Sequence, residues 1–182
     1  MEYYSRITLK DGRPCVLRHG SAKDAEGALG NFIRTHEETD NLLSRPDEIK
    51  LTSDEEGKYL EEKAASGNEA EILAEVDGRI VGTAGIEAAG KQEKIRHRCD
   101  FGISIEKEYW GLGIGRALTE ACIECAKKAG YEQMELQVVA DNERAIDMYR
   151  AAGFTEFGRN PRGFRKRGEE YQELVYMRLE LY

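Results

Sequence analysis

Three glycines at alternate positions stand between an apolar stretch and a helical pattern. The apolar stretch Phe101–Ile105 is typical of a β-strand, and Gly111, Gly113 and Gly115 follow it. Glycines at such a junction let the backbone bend tightly and expose successive N–H groups. At the positive end of a helix, exposed N–H groups bind a phosphate or a diphosphate. We therefore predict that the segment Gly111–Arg116 holds the diphosphate of a cofactor.

The spacing of these glycines excludes two nucleotide-binding motifs. A dinucleotide fingerprint needs G-x-G-x-x-G/A early in a β-α-β unit. Here Gly111-x-Gly113-x-Gly115 has a shorter last interval and lies past the middle of the chain. The Walker motif G-x-x-x-x-G-K-[S/T] does not occur in the sequence. The spacing argues against a nicotinamide-dependent enzyme and by itself leaves the cofactor undecided.

A second block downstream indicates which cofactor this is. Residues 142–154 read N-x-x-A-x-x-M-Y-x-x-x-G-F, beginning at Asn142 and containing Tyr149. Together with the glycine loop, at this separation and in a strand–helix–strand–helix order, the block resembles the GCN5-related N-acetyltransferase (GNAT) superfamily. The matched blocks span residues 101–154. The resemblance implies a domain that binds acetyl-CoA, with the glycine segment as its pyrophosphate loop.

The resemblance also implies a set of cofactor contacts. Main-chain groups of the strand before the loop would pair with the pantetheine arm as an extra strand would. Asn142 would contact the pantetheine, cap its own helix, or do both. Trp110 departs from the family pattern, which usually has Arg or Gln there, and removes one charge contact. The implied cofactor-binding residues are Ile103, Ser104, Ile105, Gly111, Leu112, Gly113, Ile114, Gly115, Arg116 and Asn142.

The family's reaction implies a catalytic role for Tyr149. In the family an amine attacks the thioester directly, and a strand amide, here that of Ile103, stabilises the oxyanion. Tyr149 occupies the position of the family's general acid. A phenol with a pKa of about 10 can protonate the departing thiolate if it lies within hydrogen-bond reach. The alternative for Tyr149 is a helix residue that packs on the sheet.

The general base is less well defined by the sequence. Asp100 is the first candidate, because some members of the superfamily carry a base carboxylate near that position. An outward-facing strand residue is the alternative. Glu87 and His97 are weaker candidates, and water could also carry the proton. Members that acetylate protein N-termini often have Glu where this chain has Gln137, which cannot take a proton, and this counts against that substrate class.

The leading hypothesis is an acetyl-CoA-dependent N-acetyltransferase that acetylates a primary amine of a small molecule or peptide. A non-catalytic acyl-CoA-binding sensor or structural module of the same fold is the alternative. The presence of Tyr149 favours the enzyme. The sequence does not indicate which amine is the acceptor. Family members often dimerise through exposed strand edges, so a homodimer stays open.

The composition limits the other partners. The 182 residues carry 35 acidic and 27 basic side chains, which gives a net charge of −8. This balance argues against general nucleic-acid binding, which needs a basic footprint. The chain shows neither a signal peptide nor an uncharged run that could span a membrane, so we expect a cytoplasmic protein with free thiols. Cys122 and Cys125 lie within a helical pattern without a second Cys or His pair, which favours core packing over a metal site.

The elements that must position these residues follow a mixed order. A short hairpin or bent strand, two helices and a hairpin turning at Asp77–Gly78 precede the strand that feeds the glycine loop. A strand–helix–strand piece predicts one parallel pair, and the hairpins predict antiparallel pairing elsewhere. We therefore predict an α/β protein with one domain over residues 1–182. Its sheet is mixed, mostly antiparallel and flanked by helices, which the resemblance identifies as the acyl-CoA N-acyltransferase fold.

Two local predictions concern the segments that flank the substrate. Ser53 and Glu56 have the spacing of a capping box, which predicts that Ser53 is the N-cap of the second helix. The segment Arg159–Arg167 is basic and contains Pro161 and Gly163, which predicts a solvated loop between the last two strands.

Overall fold

The computed structural model describes residues 2–168 and 170–182. Among these residues, no helix combines the length and the apolar character that crossing a membrane requires. The strands are β1 (Tyr4–Thr8), β2 (Pro14–His19), β3 (Ala70–Val76), β4 (Arg79–Ala88), β5 (Arg98–Ile105), β6 (Gln133–Val139), β7 (Thr155–Arg165) and β8 (Tyr171–Glu180). The helices are α1 (Ala25–Glu38), α2 (Ser53–Ala65), α3 (Ile114–Lys128) and α4 (Glu143–Ala151).

The eight strands form one mixed sheet with the order β1-β2-β3-β4-β5-β6-β8-β7. The pair β5–β6 is parallel and the other pairs are antiparallel. Helix α3 makes the crossover that a parallel pair requires. The predicted fold class, a mixed and mostly antiparallel sheet with flanking helices, is therefore confirmed.

Helices cover both faces of the sheet. On one face, α3 packs Leu118 and Cys122 against Ile72 and Ile86, within the main core of the protein. On the other face, α1 and α2 contribute Ala28 and Leu60 to a smaller cluster with Leu73 and Ile80. Side chains of a strand point alternately to the two faces, so each strand residue belongs to one of these layers.

Local signals in the sequence explain where several elements begin and end. Asp77 and Gly78 both have positive φ, 51° and 78°, as a tight hairpin turn between β3 and β4 requires. The Asn142 side chain accepts a hydrogen bond from the N–H of Ala145 at 3.3 Å and so caps α4. Gly130 and Gly153 have positive φ directly after α3 and α4.

Two local predictions were wrong. The N-cap of α2 is Thr52 with Glu55 as its partner, one residue before the predicted pair Ser53 and Glu56. Most of the predicted loop Arg159–Arg167 is extended, because β7 runs to Arg165 and pairs with β8. The register shifts between Asn160 and Phe164, and this irregularity accommodates Pro161 and Gly163 within the strand.

Candidate active site

Strand β5 separates from β6 near its middle and leaves one of its edges open. The pairing with β6 ends at Asp100 and Glu135. On the other edge, the N–H of Glu106 donates to the carbonyl of Val81 on β4 at 3.0 Å. Main-chain groups point alternately to the two sides of an extended strand, so those of Ile103 and Ile105 point toward the gap. The gap therefore offers main-chain donors and acceptors to an extended ligand.

The loop after β5 has the backbone that the glycines predict. Gly111 and Gly113 have φ of 80° and 104°, the left-handed region that other residues rarely adopt. Gly113 is the residue before α3, so the first N–H groups of that helix, beginning with Ile114, face outward at its positive end. The carbonyl of Leu112 accepts a hydrogen bond from the N–H of Lys10 at 3.1 Å, which ties the loop to the first hairpin.

Gly115, Arg116 and Trp110 each make or allow a specific contact at this loop. A Cβ on Gly115 would come within 2.9 Å of the sulfur of Met148, so only glycine lets α3 approach α4 this closely. Arg116 is exposed and pairs with Glu120 one turn along the helix, at 2.8 Å. Trp110 donates from Nε1 to the carbonyl of Ile105 at 2.7 Å. This hydrogen bond was not predicted, because the sequence indicates only that Trp110 lacks the charge of the usual Arg.

The predicted cofactor residues converge on one cavity of about 150 Å³ beside the open edge. Arg144 stacks on Trp110 at its wall, with its guanidinium carbon 5.3 Å from the ring centroid. The predicted residues that line this cavity are Ile103, Ser104, Ile105, Gly111, Gly115, Asn142 and Tyr149. Leu112, Gly113, Ile114 and Arg116 form the adjoining turn and helix start.

Tyr149 lines this cavity, and its ring packs against two other aromatic rings. Its ring contacts Phe101 edge-on, with centroids 6.1 Å apart, and Phe154 at 5.9 Å. Burial raises the pKa of the Tyr149 phenol above its ordinary value of 10.0, so the hydroxyl keeps its proton at neutral pH. Tyr149 is thus a core side chain that also lines the cavity and keeps its proton at neutral pH.

A second and larger cavity of about 580 Å³ lies between the sheet and the helices α1 and α2. We call it the acceptor cavity. It shares Ile103 and Ser104 of β5 with the first cavity, so the two meet at the open edge. Asp100 lines it, and burial raises the pKa of Asp100. The neighbouring carboxylate of Glu135 adds to this rise in pKa, and Arg98 opposes it.

The structure adds a further candidate base, Glu71, which was not predicted from the sequence. Glu71 on β3 stands opposite Gly85 on β4, which stands opposite Gly102 on β5. A Cβ on Gly85 would lie 2.1 Å from the Glu71 carboxylate, so this carboxylate extends over the glycine toward β5. Burial raises the pKa of Glu71 to about 7, although hydrogen bonds from Thr83 and Tyr59 act in the opposite direction.

The weaker candidates lie at different distances from the open edge. Glu87 is exposed, lines the acceptor cavity and receives a contact from Lys63 Nζ at 2.7 Å. His97 precedes β5, where its carbonyl accepts hydrogen bonds from the N–H groups of Glu132 and Gln133. Gln137 on β6 lines a third cavity of about 410 Å³ that also contains Asp100 and Tyr149. Glu71, Glu87 and Asp100 thus share one cavity, and His97 stands apart at the beginning of β5.

The cysteines belong to the core. Cys122 and Cys125 are fully buried free thiols on α3, which confirms the core-packing interpretation. Burial raises the pKa of Cys125 to about 11, so its thiol stays protonated. Within residues 2–168 and 170–182, no group of three or more His, Cys, Asp or Glu side chains is arranged to hold a metal ion.

The geometry of the first cavity fits acetyl-CoA. The outward N–H groups at the start of α3 suit a pyrophosphate. The open edge of β5 suits the amide groups of a pantetheine arm, which can take the place of a missing strand. Gly115 adds no side chain of its own where α3 approaches Met148 of α4. Together these features match a ligand that is anionic at one end and extended at the other.

Comparison with known proteins agrees with this geometry. The Acetyltransferase (GNAT) family profile matches residues 36–154. The L-amino acid N-acetyltransferase AaaT of Escherichia coli strain K12 is 28% identical over 163 residues, which cover 89% of this chain and 95% of that protein.

Solved structures show the same likeness. An acetyltransferase of the GNAT family from Streptococcus pneumoniae superimposes with a TM-score of 0.87 at 31% identity, covering 91% of this chain and 99% of the other. The yncA protein of Salmonella typhimurium, solved with acetyl-CoA, shares the fold with a TM-score of 0.82 at 18% identity, over 92% and 94% of the two chains. The chain therefore belongs to the GNAT family and is an acetyl-CoA-dependent N-acetyltransferase.

Proposed function

We propose that the protein transfers the acetyl group of acetyl-CoA to a primary amine of a small molecule or peptide by direct attack, with Tyr149 protonating the departing thiolate. The observation that carries this proposal is the position of Tyr149, which lines the same cavity as Ile103 and Ile105 of the open edge of β5. Acetyl-CoA supplies an acetyl group that is activated as a thioester.

The residues of the chain divide the work between binding and proton transfer. N–H groups from Gly111 to Arg116 bind the pyrophosphate at the start of α3. Ile103 and Ile105 pair with the pantetheine arm through their main-chain groups, and Asn142 caps α4 beside it. The N–H of Ile103 donates to the thioester oxygen as negative charge develops there.

The proton balance defines what Tyr149 must do. The acceptor enters as an ammonium with three protons and leaves as an amide with one. One proton is removed before attack, by Asp100 or by another carboxylate of the acceptor cavity. Tyr149 gives its own proton to the sulfur when the carbon–sulfur bond breaks, and the nitrogen loses its second proton after the nitrogen–carbon bond has formed, so that this proton replaces the one Tyr149 gave. Tyr149 then regains a proton and is unchanged at the end of the cycle.

The compartment and the assembly state belong to the same proposal. The four cysteines are free and buried, which fits a reducing compartment, and we expect the protein to act in the cytoplasm. We expect no nucleic-acid partner, because the chain has a net charge of −8. A homodimer stays a prediction, to be tested by the mass of the protein in solution.

Free CoA released from acetyl-CoA in the presence of a panel of amines tests the proposed reaction. We expect amine-dependent release by the wild type and a loss of about 10²–10⁴-fold in Tyr149→Phe. The matched control is Tyr131→Phe, because Tyr131 is also buried but its hydroxyl binds Asn68 away from the gap. Tight binding of acetyl-CoA without release on any amine would contradict transfer and support a non-catalytic binding module.

A further inference from the structure

The acceptor cavity has a floor of glycine and walls of apolar side chains. Gly85 and Gly102 stand opposite each other on β4 and β5 and carry no side chains of their own, so the Glu71 carboxylate can extend over Gly85. The wall formed by α1 and the segment after it is apolar and contains Phe32, Leu42 and Leu51. A cavity of about 580 Å³ with such walls holds a small molecule with an apolar body.

The polar end of the cavity carries negative charge. Glu71 on β3 stands beside Gly85, and Asp100 stands two residues before Gly102 on β5, so both carboxyl groups border the glycine floor. The hydroxyl of Tyr59 lies 3.3 Å from Glu71 and 3.4 Å from Glu87, so one hydroxyl links two of the carboxylates. These groups lie beside Ile103 and Ser104, at the edge where the thioester is expected to lie.

No lysine or arginine lines the acceptor cavity among the residues that the structure describes. The two cations nearest to its carboxylates are already paired. Lys63 Nζ lies 2.7 Å from both Glu69 and Glu87, and Arg98 donates to both oxygens of Glu135 at 2.8 and 2.6 Å. A carboxylate on the acceptor would therefore meet carboxylates and no lysine or arginine on the described lining of this cavity, which is unfavourable.

The histidine on the wall is held by its own helix. His36 is buried and donates from Nδ1 to the carbonyl of Phe32 at 2.6 Å, and its ring is tilted against that of Phe32 with centroids 4.1 Å apart. This hydrogen bond fixes the orientation of the ring. The carboxylates and apolar side chains of the wall are complementary to an amine with an apolar body.

The cavity is also roofed. Leu42, Leu43 and Ser44 cover it, and the segment that carries them is bound to the β7–β8 hairpin. Arg45 Nη2 donates to the carbonyl of Arg165 at 2.7 Å, and Arg167 pairs with Asp47. This connection holds the segment against one side of the cavity, which favours a small acceptor over a polypeptide.

We propose that the acceptor cavity binds a small primary amine that has an apolar body and no carboxylate, with its ammonium placed between Glu71 and Asp100. This proposal rests on the proposed acetyl transfer and adds the class of the acceptor. Ile103 and Ser104 line both this cavity and the first one, so an amine bound here lies beside the open edge, and it attacks the thioester carbon once a proton has moved to Glu71.

Proton transfer to Glu71 is consistent with its surroundings. Burial raises the pKa of Glu71 to about 7, so the carboxylate is present at neutral pH and accepts a proton readily. The nitrogen–carbon bond then forms, and the carbon–sulfur bond breaks as Tyr149 gives its proton to sulfur. The nitrogen loses its second proton, which restores the Tyr149 hydroxyl, and Glu71 releases the first proton to solvent. The titratable groups that face Glu71 are Glu56, Tyr59 and Lys63 on α2, with Glu87 on β4 and Asp100 on β5 nearby in the same cavity.

A matched pair of amines tests the proposal on the full-length protein. 2-Phenylethylamine and L-phenylalanine differ only in the carboxylate, and a tetrapeptide with a free N-terminus represents the polypeptide acceptors. We expect kcat/KM for 2-phenylethylamine to exceed both others by at least about 100-fold. Preference for L-phenylalanine or for the peptide would overturn this proposal and leave acetyl transfer intact. Acetyl-CoA binding without turnover of any of the three or of the amine panel would overturn the proposed function itself.

Variants of Glu71 test the placement of the ammonium. Glu71→Gln should lower kcat/KM for 2-phenylethylamine at least tenfold, remove the rise of kcat/KM with pH near 7, and leave the Kd of acetyl-CoA unchanged. The control is Glu75→Gln on the same strand, because Glu75 pairs with Arg18 outside the cavity. If Glu71→Gln fails to fold, Tyr59→Phe removes a hydrogen bond to Glu71 and should shift the same pH profile. A wild-type pH profile in both variants would exclude Glu71 from the reaction.

Discussion

Substitution of Gly113 by valine separates the binding role of the glycine loop from its contribution to folding. Gly113 has φ of 104°, and a Cβ built there has no neighbour within 4 Å. The Cβ of the new residue therefore meets no other residue, and we expect the effect of the substitution to come mainly from the backbone conformation. Gly130 has φ of 82° and an equally open environment at the other end of α3, so Gly130→Val is a matched control.

The expected magnitudes follow from this geometry. A non-glycine residue in the left-handed region costs about 1–3 kcal/mol, and each kcal/mol lowers the Tm of a domain of this size by about 2–4 °C. Both variants should thus melt roughly 2–12 °C below the wild type. In Gly113→Val the relaxing loop also turns N–H groups away from the pyrophosphate. Loss of one charge-assisted hydrogen bond, about 1.5–3 kcal/mol, weakens binding roughly tenfold to 150-fold.

Titration calorimetry measures the Kd of acetyl-CoA for each of the two variants. We expect a raised Kd for Gly113→Val and a wild-type Kd for Gly130→Val at a similar loss of Tm. A wild-type Kd for folded Gly113→Val would refute the assignment of this loop to the pyrophosphate. An equal rise of Kd in both variants would mean that the effect is one of stability only.

Three further predictions concern single side chains. Tyr149→Phe should keep the Kd of acetyl-CoA within about twofold while kcat falls by about 10²–10⁴-fold, as measured by stopped-flow CoA release; a kcat near wild type would remove Tyr149 from the reaction. The pKa of Glu71 is raised from 4.5 to about 7 in the fold, so folding favours its protonated form and stability falls as pH rises between these values. Thermal melts should therefore show Glu71→Gln gaining about 2–6 °C relative to wild type at pH 8 and much less at pH 5; an equal effect at both pH values would contradict the raised pKa. Trp110→Phe removes the donor to the Ile105 carbonyl and should lower the free energy of unfolding by about 1 kcal/mol in urea titration, whereas unchanged stability would show that water replaces the indole there.

Elements with strong local signals were predictable from the sequence. The hairpin at Asp77–Gly78 and the cap at Asn142 depend on residues within a few positions of each other, and both are confirmed. The α2 cap was misplaced by one residue because Thr52 and Ser53 each have a Glu three positions later. Glu56, the partner required by the misplaced cap, is instead buried below the helix.

Features that depend on pairing between distant strands were not predictable. β7 contains Pro161 and Gly163, which favour a loop locally, yet pairing with β8 keeps the segment extended. Glu71 stands within the apolar sequence of β3, and only the register with Gly85 and Gly102 shows that it borders a cavity. The site therefore combines motif residues, which local sequence reveals, with a carboxylate that the fold alone brings near.

A crystal structure of the protein with acetyl-CoA and 2-phenylethylamine would test the central claim most directly. We predict the pyrophosphate on the N–H groups from Gly111 to Arg116 and the thioester oxygen within about 3 Å of the Ile103 nitrogen. The sulfur should lie within hydrogen-bond reach of the Tyr149 hydroxyl, and the amine nitrogen between Glu71 and Asp100. A thioester that lies away from the open edge of β5, with its sulfur out of reach of Tyr149, would contradict the account.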